Sequence, residues 1–447
     1  MINNMFKTNI YNKIIIISFS IFIFFFDFLR YYFDFRLIIF IPLFLAFFEF
    51  IYLKKKVNYY LITIFLSLLS LLILQSQFQE INFKDKIYSF KSIIFLGISI
   101  FSIWYFSESI IKNIGLIFNF FLIFFFLYII FYTIFRFDMH LENHQCYIGC
   151  FSVLNDKFEF FKENSHLGFI SSTLIAFMII KVKKINFYLV SLFIFYVLLI
   201  LNFSLTIFST IFFILSYFII FYFKKFNIIQ KFLIFLIIAS SFYSLKVNSG
   251  AIDRLYNLIN FDNWKVKSNP ELFKENKKNI NIENKKSKIN KVENASKKNN
   301  ENKKQKENQQ KNIQVKNLSS EVFIVSLNIA KLSILEKPFG YGLNNYHLAF
   351  KKHIDNILVT NQITKRLNVF DASNNLAKMI TELGIFSLLI FFIILKFLLS
   401  KKIPHEYKLI IFPSLFTQIF IRGAGYFNGG FIFFLVLSCY LLYKFKD

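Results

Sequence analysis

From Ile114 to Phe135 the chain runs without a single charged residue, which is long enough for one α-helix to cross the roughly 30 Å hydrocarbon core of a bilayer. In lipid every backbone N–H and C=O must find its partner within the protein, so such a run has to be helical. Ile14 to Leu29, broken only by Asp27, is of the same kind. Apolar windows recur at 14–29, 37–53, 58–76, 91–110, 114–135, 167–180, 186–202, 204–223, 229–246, 379–399, 407–421 and 428–443. They predict an all-α polytopic membrane protein with about 12 transmembrane helices. With 56% hydrophobic residues and 68 Phe, a water-soluble enzyme is excluded. The Phe, Ile, Lys and Asn excess also fits AT-rich codons, so Phe abundance alone carries no mechanism. The start, Met1 to Lys13 followed by an apolar run with no small-residue cleavage site, reads as an uncleaved signal anchor.

Lysine then sets orientation. Lys54 to Lys56, Lys112, Lys181 with Lys183 and Lys184, Lys224 with Lys225, Lys401 with Lys402, and Lys444 with Lys446 mark every second loop and the C-terminus. The positive-inside rule places them together in the cytoplasm, with both termini inside. Among the short loops only Lys84, Lys86 and Lys91 sit against this alternation. Residues 1–246 thus carry helices 1–9, 247–378 form a large outer loop, and 379–447 carry helices 10–12. Within the loop, 265–316 hold 16 Lys against 6 Glu and almost no aromatic residue, a composition that cannot bury enough surface to fold and reads as a disordered insertion. Apolar residues return over 318–378, which predicts amphipathic helices on the outer membrane surface. The net charge of +26 is topology plus linker. No nucleic-acid-binding pattern accompanies it, so nucleic acid is not an expected partner. Internal repeats of the transporter kind are also lacking.

Where only positive charge is needed this chain uses Lys, since only six of its 52 cationic residues are Arg: 30, 36, 136, 254, 366 and 422. All six fall outside in this topology. A guanidinium grips phosphate oxygens with a planar fork that an ammonium lacks, so an outward Arg set points to a lipid-linked phosphate or pyrophosphate. For Arg30 and Arg36 plain interfacial anchoring is the better reading. Six of the 12 Gly fall in two outer-face clusters, Gly340 with Gly342 and Gly423, Gly425, Gly429 with Gly430, where they permit positive φ or close backbone approach. Alone, the Gly340-Tyr341-Gly342 element reads as a turn.

A large outer loop entered through Asp253-Arg254-Leu255-Tyr256-Asn257-Leu258 and left through Pro338-Phe339-Gly340-Tyr341-Gly342-Leu343-Asn344-Asn345-Tyr346, then Ser373-Asn374-Asn375-Leu376 up to Thr381-Glu382-Leu383-Gly384-Ile385-Phe386, resembles the bacterial O-antigen polymerase and O-antigen ligase superfamily. The resemblance covers roughly the second half of the chain. It implies a metal-independent, cofactor-free glycosyltransferase of the bacterial inner membrane, with a large periplasmic loop between helices 9 and 10. The implied donor is an undecaprenyl-pyrophosphate-linked glycan, the surroundings are membrane lipid, and a chain-length regulator is the protein partner such an enzyme takes. Arg254 with Leu258 matches the Arg-x-x-x-Leu at the start of the ligase loop. Asn374 and Gly384 keep the spacing of the ligase end motif and Ser387 closes it, but Ser373 stands where the ligase His belongs. That departure favours a polymerase that joins repeat units over a ligase that transfers glycan to lipid A core.

Such chemistry is substitution at an anomeric carbon, in which the pyrophosphate leaving group needs cations and the attacking sugar hydroxyl benefits from a base. Arg254 and Arg422 are the first candidates for the pyrophosphate, with Arg136 and Arg366 behind them. Glu163, His166, Asp371 and Glu382 are candidates for the base. Each also has a plainer reading: a solvated loop acid, a helix N-terminal residue, a cap, and a satisfied polar group inside the bundle. Gly340, Gly342, Asn374 and Gly384 would shape the substrate loop. Cys146 and Cys150 share an outer loop and can pair in an oxidising compartment. With His140 and His144 they have loose metal-ligand spacing but no second ligand pair, so no metal is expected. The competing class is a transporter or flippase for the same lipid-linked sugars. Charge-free cores such as Leu61 to Leu74 weigh against it.

Overall fold

The computed structural model describes residues 13–21, 40–52, 83–123, 164–182, 188–192, 205–247, 318–357, 362–423, 425–427 and 430–445, with a few isolated positions besides. Among them there is no strand. The main helices are α1 (Phe40–Tyr52), α2 (Phe83–Lys112), α3 (Asn164–Lys181), α4 (Leu205–Tyr222), α5 (Ile228–Val247), α6 (Leu318–Glu336), α7 (Tyr346–His353), α8 (Asn375–Leu383), α9 (Ser387–Leu399), α10 (His405–Phe416) and α11 (Phe431–Lys444). Three segments, Ser89–Lys112, Phe208–Lys225 and Asn375–Leu399, are long and apolar enough to cross a membrane. The insertion 265–316, the loop entry 253–258, and Cys146 with Cys150 lie outside the described residues.

Buried hydroxyls are admitted to these apolar helices by bonding back to the carbonyl one turn earlier. Ser20 donates to the Ile16 carbonyl, Ser99 to Phe95, Ser102 to Ile98, Ser107 to Ile103 and Ser438 to Phe434, so none of these groups faces the core unpaired. Aromatic rings fill the space between helices. Phe118 stacks on Phe177 of α3 at 5.0 Å, Phe213 of α4 stacks on Phe416 of α10 at 3.6 Å, and Trp104 of α2 meets Tyr440 of α11 edge-on at 5.6 Å. Such pairs contribute about 0.5–1.5 kcal/mol each beyond area burial. That matters in lipid, where helix association depends on packing and polar contacts more than on water exclusion.

One end of the bundle gathers lysines. Gln230 at the start of α5 donates to the Ile179 carbonyl at the end of α3, 2.8 Å away. Tyr222 Oη lies 3.3 Å from His405 Nδ1, and Lys408 Nζ caps α9 by donating to the carbonyls of Leu398 and Ser400. These contacts bring Lys181, Lys224, Lys225, Lys401 and Lys402 to a common end. Lys408 lies across carbonyls left open by the end of α9, where a cation is favoured. α11 runs from the opposite end to finish at Lys444 beside α2, which finishes at Lys112. The start of α2 lies before the expected window, so Lys84, Lys86 and Lys91 occupy its first turns.

The opposite end is built differently. Over 318–377 the chain forms more than surface-lying helices. Val325, Ile329 and Ala330 of α6 pack with Tyr341, Tyr346, Ala349, Phe350, Ile354, Ala372 and Ala377 into a core of their own, set against α8. The expected span 379–399 starts earlier and is interrupted: α8 begins at Asn375, a 3₁₀ turn occupies Gly384–Phe386, and α9 follows. Gly384 has φ +56, and a Cβ there would lie 2.0 Å from the Pro338 carbonyl oxygen, so only glycine lets the 338–342 turn close on the helix.

Candidate functional site

The site begins with a sharp turn before α8. Asn368 and Ala372 both have φ in the left-handed region, at 51° and 54°. For alanine this is a strained conformation, and such strain concentrates where geometry must be held. Ala372 turns the chain so that Asn374 caps α8, its Oδ1 accepting from the Ala377 N–H at 2.8 Å. Ser373 is thereby presented sideways at the helix N-terminus.

Arg422 reaches this turn from the other side. α10 ends in a π-turn over Thr417–Ile421, in which the Arg422 N–H bonds the Thr417 carbonyl. Single π-turns of this kind re-aim the residue that follows and recur at functional sites. Arg422 Nη1 donates to Ser373 Oγ at 3.2 Å and to the Ser373 carbonyl at 3.4 Å, while the Gly423 N–H donates to the same carbonyl. A Cβ on Gly423 would lie 2.5 Å from Asn375 Oδ1. The Asn375 amide also brackets Gly425, accepting from its N–H at 3.2 Å and donating to its carbonyl at 3.4 Å. Gly425 has φ +89, and a Cβ built there would sit 3.6 Å from Asp371 Oδ1. Asp371, Ser373, Asn374, Arg422, Gly423 and Gly425 therefore surround the N-terminus of α8, where open N–H groups and the helix dipole favour an anion. Asn374 Nδ2 is buried there with no partner among the described residues.

A buried ion pair stands behind that turn. Lys378 Nζ lies 3.0 Å from Glu382 Oε1, one turn along α8, and also donates to the Phe370 carbonyl at 2.6 Å. The rings of Tyr346 and Tyr426 flank the ammonium at 6.0 and 5.7 Å, so it is held by cation–π attraction as well. Glu382 accepts from the Tyr426 hydroxyl at 2.9 Å and from the Tyr346 N–H at 3.2 Å. Burial, with Glu382 beside it, holds the Tyr426 phenol well above its ordinary pKa, so it stays a donor. Through these bonds one charge pair ties together the 370–373 turn, the start of α7, and the 423–426 loop. The 338–342 turn closes the other face of α8. The Tyr341 N–H donates to the Thr381 carbonyl and the Gly342 N–H, from a residue with φ +88, to the Glu382 carbonyl.

Asp371, Asn374 and Arg422 are thus brought together, Glu382 stands behind them as a satisfied buried group, and Gly340, Gly342 and Gly384 form the seam between turn and helix. Arg366 is exposed on the Gln362–Arg366 turn against α6 and does not join Arg422. His166 lies on the first turn of α3. Glu163, Arg136 and Arg254 lie outside the described residues. Sequence reasoning did not single out Lys378, Tyr346 or Tyr426. Lys378 had a legible signal, a cation four residues before an acid on one helix face. The two tyrosines had none, because their partners are distant in sequence. No group of three His, Cys, Asp or Glu able to hold a metal occurs among the described residues. Comparisons with known protein families, characterised proteins and solved structures give no match.

Proposed function

We propose that this chain is a membrane glycosyltransferase that joins oligosaccharide units carried on undecaprenyl pyrophosphate, acting at the bundle end opposite the lysine clusters. The observation that carries this reading is the meeting of Arg422 with Ser373 at the N-terminus of α8, a guanidinium and a helix start converging on one place. In the reaction a sugar hydroxyl attacks the anomeric carbon, a new C–O bond forms, and the bond from that carbon to the pyrophosphate oxygen breaks. Arg422 and the α8 N–H groups take up the charge on the leaving pyrophosphate. The hydroxyl proton goes to Asp371, the half-exposed carboxylate across Gly425. Glu382 is committed to Lys378, Tyr426 and the Tyr346 N–H, and positions the two loops. Ser373 occupies the ligase histidine position and serves as a hydrogen-bond acceptor for Arg422, which favours polymerisation over ligation.

The test is a deletion strain of the source bacterium. Polymerisation predicts surface glycan ending in a single repeat unit, because ligation survives and elongation stops. Long polymer stranded on undecaprenyl pyrophosphate would make the chain a ligase. Single units stranded on the cytoplasmic face would make it a flippase.

A further inference from the structure

We infer that the 338–342 turn and the end of α6 form a wedge that sits in the lipid leaflet on the site side of the membrane, its occupant being phospholipid acyl chains. α9 exposes Leu388, Leu389, Phe392, Leu395 and Leu399, a row at helical spacing along a segment apolar enough to cross a membrane. The row does not stop where α9 starts. Ile385 is 51% exposed and Leu388 61%, and next to them stand Phe339 at 60% and Leu335 at 72%. The Ile385 N–H donates to the Pro338 carbonyl, and the Phe339 ring lies 6.0 Å from that of Phe386. The wedge is therefore fixed to the spanning helix rather than hanging from a loop. Leu335, Phe339, Ile385 and Leu388 thus continue the exposed row of α9 as one apolar patch on a turn locked by a glycine seam, and a contiguous patch of that kind marks a surface that something apolar covers.

Depth and charge both select lipid. Gly384–Phe386 as a 3₁₀ turn and Ser387–Leu399 as an α-helix together rise about 25 Å, short of the roughly 30 Å hydrocarbon core. With the far boundary at Leu399, just before Lys401 and Lys402, the near boundary falls about one turn beyond Gly384. That places Phe339 and Ile385 at the inner side of the interface. Lys331, exposed on α6, and Lys337, whose Nζ lies 4.8 Å from the Tyr341 ring centroid, flank the apolar pair. Such lysines meet lipid phosphates while their neighbours enter the chains. It follows that Lys378, about 9 Å along α8 from Gly384, lies above the boundary, and Glu382, about 3 Å along it, lies just inside, so the pair sits at the edge of the hydrocarbon, where burying it is less costly than at the bilayer centre.

The full chain is reconstituted in nanodiscs of phosphatidylglycerol and phosphatidylcholine, with acyl chains unmodified or brominated near the headgroup end. Phe339→Trp is made with Trp104 and Trp264 replaced by Phe. Leu335→Trp, made on the native background and read by difference, covers the case in which loss of Trp104 unfolds the protein. Both new tryptophans are expected to emit at blue-shifted wavelengths and to lose most of their emission in brominated lipid, whereas Asp355→Trp, on an exposed turn, keeps aqueous emission. Aqueous emission at 335 and 339 would overturn the inference. So would blue-shifted emission that brominated chains leave untouched, because the wedge would then be covered by a second copy of the protein.

Discussion

The two ends of the helical bundle handle polar groups in opposite ways. At the lysine end, cations stand exposed or cap helix C-termini, and the backbone stays in ordinary conformations. At the Arg422 end lie all the positive-φ positions among the described residues: Gly340, Gly342, Asn344, Asn368, Ala372, Gly384, Gly425 and Gly430. The ion pair with both side chains nearly out of solvent, Lys378 with Glu382, is there too. Its surroundings include buried polar atoms of Asn345, Tyr346, Asn374 and Thr381 with no partner among the described residues. Topology requires only that cations remain on one side, and exposed lysines satisfy that at little cost. A strained turn and a buried charge each cost stability, so their concentration at one end marks where geometry is being held for a purpose.

The strongest way to break this contrast is to unbalance the buried pair. Lys378→Met leaves Glu382 charged and unpaired, and Glu382→Gln leaves Lys378 so; each single change is expected to cost about 3–5 kcal/mol. The double variant Lys378→Met with Glu382→Gln should recover most of that loss. Thermal unfolding in detergent, followed across all three variants, measures the recovery. Costs that simply add would show that the two side chains do not act as a pair.

Glycines at the two kinds of position should respond with opposite sign. Gly384→Ala forces a Cβ to 2.0 Å from the Pro338 carbonyl at φ +56, and the backbone strain alone is worth about 1–3 kcal/mol. Gly115→Ala has nothing within 4 Å of the new methyl and lies in a helix, where the change should stabilise by about 0.5–1 kcal/mol. Equal and small effects at both positions would remove the argument that the seam is tightly closed. At Arg422 the readout is glycan assembly, the activity proposed above. Arg422→Lys should lose roughly 10²-fold, nearly as much as Arg422→Ala, because the ammonium keeps charge but loses the planar fork, whose Nη1 is held by Ser373. Full activity in the Lys variant would reduce Arg422 to a generic charge.

The helical class was legible because lipid leaves an apolar run no alternative, and Ile114–Ile123, the start of the charge-free run, is indeed helical. The gathering of Lys181, Lys224, Lys225, Lys401 and Lys402 at one end was legible for a similar reason, since the positive-inside rule acts on each loop separately. Arg422 and Asn374 could be singled out by their rarity and spacing. The cage around Lys378 could not, because it joins Tyr346, residue 378 and Tyr426, and nothing local requires two tyrosines to converge on one lysine. The break at Gly384 was also hidden, since its cause is the Pro338 carbonyl far back in the chain.

A pH response belongs to the outer face of the site end. Tyr341 Oη donates to Glu336 at 3.0 Å and lies 3.2 Å from His353 Nε2, and Lys352 pairs with the same carboxylate. Burial lowers the His353 pKa, with the Lys352 charge adding to that and Glu336 opposing it. Burial alone would raise Glu336, but hydrogen bonds from Lys352 and Tyr341 and the nearby cations bring it below its ordinary value. Both groups bind protons more readily when unfolded, so stability is full at neutral pH and falls with acidification. The loss begins below the ordinary histidine value of 6.5 and continues through the carboxylate range. Limited proteolysis between α6 and α7 should accelerate over that window, and His353→Phe should remove its upper part. A flat profile in the native protein would mean that the cluster does not bind the two helices together.

The smallest effect is expected at the lysine end, where polar groups serve only the fold. Asn227 and Gln230 cap α5 reciprocally: Asn227 Oδ1 accepts from the Gln230 N–H at 2.9 Å, and Gln230 Oε1 accepts from the Asn227 N–H at 3.0 Å. Gln230 Nε2 then bonds the Ile179 carbonyl at the end of α3. Gln230→Ala removes the box and the bridge together, a loss of about 1–2 kcal/mol. Gln230→Glu keeps the acceptor for Asn227 and adds a charge that the helix start favours, but it turns a carboxylate toward the Ile179 carbonyl. It should therefore fall between native and Ala in thermal unfolding. Neither variant should change glycan assembly per folded molecule, because no bond from Gln230 leads to α8 or Arg422. A drop in assembly with unchanged stability would mean that the two ends are coupled and that the division between them is false.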